Sequence, residues 1–78
     1  MMSELKNILG SIEDIYLRLP VADIKEEHQL IADLGMDSLS RMSLFIEINI
    51  FFGREHEQEN RAVQWLTVKD ILDYMEGI

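Results

Sequence analysis

The chain has no cysteine among its 78 residues, which excludes a disulfide framework, a thiolate metal site and a cysteine nucleophile. Cations are also scarce: seven Lys plus Arg stand against 15 Asp plus Glu, for a net charge of -8. Phosphate backbones need a cationic surface, so nucleic acid is excluded as a partner. An anionic membrane surface is disfavoured on the same ground, and a basic protein partner is favoured. No apolar run approaches the roughly 20 residues that span a bilayer. The N-terminal residues lack the charged start and apolar stretch of a signal peptide, so a cytoplasmic address is expected. The two imidazoles, His28 and His56, stand at no metal or triad spacing. His56-Glu57-Gln58-Glu59-Asn60 lacks the second histidine of a zinc-protease motif. Asp23, Asp33 and Asp37 do not fit a calcium loop. There is no glycine-rich phosphate loop. With no catalytic set of its own, the chain is expected not to be an enzyme.

Apolar residues make up 47% and charged residues 28%, the balance of a folded domain rather than a disordered chain. Its length suits one domain over residues 1–78, with a core that must be economical because so short a chain buries only about 60% of its unfolded surface. With one proline and four glycines, it reads as helical. Leu5, Ile8, Leu9, Ile12, Ile15 and Tyr16 step by three and four, which predicts a helix capped by Ser3 and stopped shortly after Leu17 by Pro20. Residues 20 to 37 carry no sustained period. Connections of that length are usually functional or hold a short helical turn, here signalled by Asp23 and Glu26. A second helix is predicted from Asp37-Ser38 to Phe52, ended by Gly53. The polar run 54–60 reads as a solvated loop, followed by a short helix over 60–65. Thr67-Val68-Lys69-Asp70 resembles a capping box opening a last helix through Val68, Ile71, Leu72 and Met75. The expected architecture is all-α, a small three- to four-helix bundle.

One string carries more than fold. Asp33-Leu34-Gly35-Met36-Asp37-Ser38-Leu39 resembles the Asp-Leu-Gly-x-Asp-Ser-Leu signature of the acyl carrier protein family. The leading helix, long loop, helix opening at the serine and closing Thr-Val-x-Asp-Ile-x-Asp-Tyr segment match that family in order. The resemblance implies that Ser38 carries a covalent 4'-phosphopantetheine arm, transferred from coenzyme A by a separate holo-synthase. Acyl chains would ride on that arm as thioesters. Asp33, Leu34, Gly35, Asp37 and Leu39 are then the motif that the transferase recognises. A phosphodiester on Ser38 would lie at a helix N-terminus, where unsatisfied N–H groups favour an anion. Asp37 would repel it, so its expected roles are capping the helix and presenting charge to a basic synthase. The other implied partners are acyl-transferring and condensing enzymes with basic surfaces, acting on a monomeric carrier.

On the second helix, at about 100° per residue from Ser38, Leu44, Phe45, Ile48, Phe51 and Phe52 gather near 280° and form the expected core stripe. Leu39, Met42 and Ile46 gather near 85° and are assigned to a partner face, with Ile50 beside them partly buried. Carriers of primary fatty-acid synthesis commonly hold several acidic residues on this helix. Here Glu47 is its only carboxylate after Asp37, and Arg41 offsets it. The pathway therefore stays open between fatty-acid synthesis and a specialised polyketide or lipid system. A peptidyl carrier is disfavoured, because Met36-Asp37 departs from the Gly-Gly run usual there. The reading from a different class is a small acidic helical interaction module with no prosthetic group.

Overall fold

A computed structural model describes residues 1–13, 15–54 and 59–77, with the backbone alone at 59–61. Among these residues three helices and no strand are found: α1 (Met2–Ser11), α2 (Ser38–Phe51) and α3 (Val68–Glu76). Two 3-10 turns, Val21–Asp23 and Glu59–Gln64, lie in the connections. The all-helical expectation is met, the second turn standing where a short helix is predicted. The radius of gyration is 11.2 Å, against about 11.5 Å expected for a folded chain of this length.

The first helix is shorter than its periodicity suggests, and it starts earlier. Met1 is its N-cap, without a side-chain bond, whereas Ser3, the predicted cap, donates its hydroxyl to the Glu4 carboxylate at 2.9 Å. Met2 packs partly buried against the core, so the apolar stripe begins one step before Leu5. At the other end Ser11 turns its hydroxyl back onto the Ile8 carbonyl at 2.8 Å. Ile12 leaves in extended geometry, with ψ 114°. Beyond it the side chains obey a period of two: Ile15, Leu17 and Leu19 are partly buried, while Tyr16 and Arg18 are exposed. Burial in an extended segment thus replaces the predicted last turns of helix.

The connection between α1 and α2 is stitched to the start of α3. Gln29 forms an isolated antiparallel bridge with Thr67. The Leu30 amide donates to the Leu66 carbonyl at 2.9 Å, and the Val68 amide to the His28 carbonyl at 3.0 Å. The Thr67 capping box forms as predicted, both of its hydrogen bonds being present. The 3-10 turn in this connection ends at Asp23 instead of starting from it. Of the run read as a solvated loop, residues 55–58 lie outside the described residues.

The core joins Leu5, Ile8 and Leu9 of α1 to Leu44, Phe45 and Ile48 of α2 and to Val68, Ile71, Leu72 and Met75 of α3. Phe45 stands between two aromatic rings, with centroids 5.9 Å from Trp65 and 5.4 Å from Tyr74. Tilted pairs at such distances add about 0.5–1.5 kcal/mol beyond burial. The stripe assigned to the core is right at Leu44, Phe45 and Ile48, with Phe52 partly buried against it, and wrong at Phe51. Phe51 is 48% exposed, and Ile50, expected partly buried, is 59% exposed. Both line a shallow groove between α2 and the Asn7, Ile8 and Ser11 side of α1.

Candidate functional site

The seven-residue string makes a tight turn and then opens α2. The Asp33 carboxylate accepts the Gln29 amide at 2.7 Å, while the Asp33 and Leu34 amides return to the Gln29 carbonyl. Asp33 therefore closes the turn locally. Leu34 and Met36 are 0% and 1% exposed and lock the loop into the core. Between them Gly35 adopts φ 72°, the left-handed conformation open to glycine at little cost. A Cβ there would also stand 3.0 Å from Arg18 Nε, because the Arg18 side chain lies across the glycine.

Asp37 is the N-cap of α2, its carboxylate accepting the Ser40 amide at 2.8 Å. That bond, the Ser40 hydroxyl and the charge of Arg41 hold the Asp37 carboxyl below the ordinary aspartate range. One of the amides at the helix opening is thereby satisfied. Ser38 follows as the first helical residue, exposed to solvent. It lines a groove with Asp37, Ile31, Arg18 and Arg41, floored by Gly35 and Met36. Leu39 and Ile31 are 72% and 58% exposed.

The three residues assigned to a partner face do not share one environment. Leu39 projects into solvent, Ile46 is half-buried, and Met42 is half-buried and packed against the core. Asp33, Leu34, Gly35, Asp37 and Ser38 do come together in the one turn.

Two α2 residues with structural consequence escape the sequence reading. Arg41 is 7% exposed, donates from Nη1 to the Trp65 carbonyl at 3.1 Å, and keeps Nε without a partner among the described residues. Its place about 300° from the helix start, inside the core arc, is the signal that could have found it. Asn49, 1% exposed, donates to the Phe45 carbonyl and accepts the Tyr74 hydroxyl at 2.9 Å, tying α2 to α3.

Among the described residues no group of three or more His, Cys, Asp or Glu is placed to hold a metal ion. No helix there is long and apolar enough to cross a membrane. No family model matches the chain. Comparison with curated sequences is decisive: an acyl carrier protein of Coprothermobacter proteolyticus is 35% identical over 74 residues, covering 95% of this chain and 84% of that protein. The chain belongs to the acyl carrier protein family. An acyl carrier protein of Phytoplasma mali is 41% identical over 54 residues, covering 69% of this chain and 63% of that one. Membership supports a carrier role and interaction with biosynthetic enzymes.

Proposed function

We propose that the chain is an acyl carrier, carrying acyl intermediates as thioesters on a 4'-phosphopantetheine arm joined to Ser38. The observation that carries this reading is the placement of Ser38: exposed, first in α2, directly after a loop held by Leu34 and Met36 in the core. A hydroxyl so placed is reachable by a transferase, while its backbone is fixed by the packed residues around it. The residues present fit a phosphodiester at this position. Ser38 is exposed and lines a groove rather than the core, and Arg18 and Arg41 line the same groove.

The arm would supply the thiol that a chain without cysteine lacks. In loading, Ser38 Oγ passes its proton to a base on the transferase and bonds to the phosphorus of the pantetheine phosphate in coenzyme A. The bond from that phosphorus to the bridging oxygen breaks, and adenosine bisphosphate leaves with its electrons. No base within the chain is needed, because the partner enzyme activates the hydroxyl. The chain is thus a substrate of its holo-synthase and not itself an enzyme. Acyl-transferring and condensing enzymes with basic surfaces are its further partners, as the net charge favours. The near-neutral α2 favours a specialised polyketide or lipid system alongside primary fatty-acid synthesis.

Incubation with coenzyme A and a broad-specificity phosphopantetheinyl transferase, read by intact mass, tests the proposal. The apo protein should be silent to a thiol reagent and the holo form should give one thiol per chain. Ser38→Ala should abolish both changes with little effect on helical circular dichroism. Modification of that variant at Ser40 or Ser43 would defeat the assignment. Wild-type protein that gains no mass would point instead to an interaction module without an arm.

A further inference from the structure

The groove beside Ser38 has an unusual balance for so acidic a protein. Among its lining residues, two arginines face a single carboxylate, Asp37. Neither arginine is spent on an ion pair among the described residues, where the recorded pairs are Met1 with Glu4 and Lys69 with Asp73. Arg18 uses one side-chain donor, Nη1 to the Ala32 carbonyl at 3.1 Å. Arg41 uses one, Nη1 to the Trp65 carbonyl, and its buried Nε has no partner among the described residues. A guanidinium carries five N–H donors in a planar fork suited to phosphate oxygens. Arg18 is exposed and its free donors are hydrated, but leaving Arg41 Nε buried without an acceptor is costly.

The positions of both arginines follow from the fold. The Arg18 amide donates to the Leu34 carbonyl at 3.0 Å, which holds the extended segment alongside the motif loop. Its side chain then lies over Gly35, a residue with no Cβ to push it away. Arg41 stands one turn along α2 from Asp37, on the side of the helix that meets the Trp65 segment. The two arginines thus line the Ser38 groove from different elements.

Resting on the proposed carrier function, we infer that Arg18 and Arg41 form a seat for the phosphodiester that would join the arm to Ser38. A monoanion there balances the net positive charge left by two cations and Asp37. The seat would draw the first atoms of the arm along the loop on the Arg18 side, making Arg18 and Arg41 positioning residues for whatever the arm carries.

The test uses the holo protein, with loading verified by intact mass. In nitrogen–proton spectra, the Nε–Hε peaks of Arg18 and Arg41 should both shift between the apo and holo forms, while that of Arg54 stays in place. Arg18→Gln assigns its peak in the apo protein. In the holo form of that variant, the phosphorus resonance should move toward its position in urea-unfolded holo protein, and Arg18→Lys should restore part of the native shift. Arginine peaks that move no more than that of Arg54 in fully loaded wild-type protein overturn the seat and leave the carrier reading standing. A wild-type protein that gains no mass overturns the carrier reading and the seat with it.

Discussion

Asp37 illustrates how one residue can serve the fold and bear on the site. Its carboxylate caps α2 through the Ser40 amide, and that bond, more than the charge of Arg41, pulls its pKa down. A group whose pKa is lower in the folded state stabilises the fold above its unfolded value and loses that contribution as pH falls through the folded one. Asparagine can cap equally well but does not titrate. Thermal melts of wild type and Asp37→Asn should therefore differ most above the ordinary aspartate range and converge below it. A gap that is constant down to strongly acid pH would show that the carboxylate charge contributes nothing at this cap. Gly10 offers a complementary test inside α1. A Cβ added there would meet nothing within 4 Å, so Gly10→Ala should raise stability by about 0.5–1 kcal/mol through helix propensity. Denaturant melts would read the change directly, and a loss of stability would show that this turn of α1 needs the smaller residue.

At the scale of elements, α2 carries both buried and strongly exposed apolar residues along its own length. Phe45 is 2% exposed between Trp65 and Tyr74, so Phe45→Ala should cost about 3–5 kcal/mol through lost burial and a cavity. Leu39, one residue after the serine, is 72% exposed, and Leu39→Glu should change stability by less than about 0.5 kcal/mol. If Leu39 belongs to the docking face, the same variant should slow loading or acyl transfer by partner enzymes. Met42 is a poorer probe, because its contact with the core mixes the two effects. Leu39→Glu that unfolds the protein while Phe45→Ala is benign would mean that the faces of α2 are reversed. The start of α2, the Gly53 stop and the Thr67 capping box were legible because each depends on local hydrogen bonds or backbone conformation. The end of α1 was not. Ile15 and Tyr16 continue a helical period, but Ile15, Leu17 and Leu19 equally satisfy a period of two, and packing chose the second. That choice brought Arg18 to the motif loop, so the error about α1 concealed a groove residue too. The place of Ser38 at the opening of α2 was legible from the string around it, whereas the approach of Arg18 depends on contacts between distant segments.

The whole molecule combines a small core with a large excess of negative charge, and the two pull against each other. The core is continuous across all three helices, yet a chain of this length has few kilocalories of net stability to spare. Against it stands a net charge of -8, whose self-repulsion is relieved when the chain expands. Internal compensation is slight among the described residues. The Lys69–Asp73 pair has side chains 63% and 59% exposed at 3.5 Å, and exposed pairs of this kind contribute little. Lys6 gives its ammonium to the Ala22 carbonyl rather than to a carboxylate. Salt should therefore stabilise the protein, since screening weakens the net repulsion more than it weakens these few attractions. Raising sodium chloride from about 0.01 M to about 0.15 M shortens the screening length from about 30 Å to about 8 Å, less than any of the molecule's principal extents of 29, 23 and 22 Å. The melting temperature should rise across that range. For a domain of this size each kilocalorie per mole is about 4–8 °C, so even a partial relief is measurable by circular dichroism. Loading Ser38 should leave the trend intact, because a single added phosphodiester changes the total charge little and falls beside two arginines. A melting temperature independent of salt would mean that the carboxylates are compensated within the fold, and the acidic surface could then not be treated as an unpaired field awaiting a basic partner.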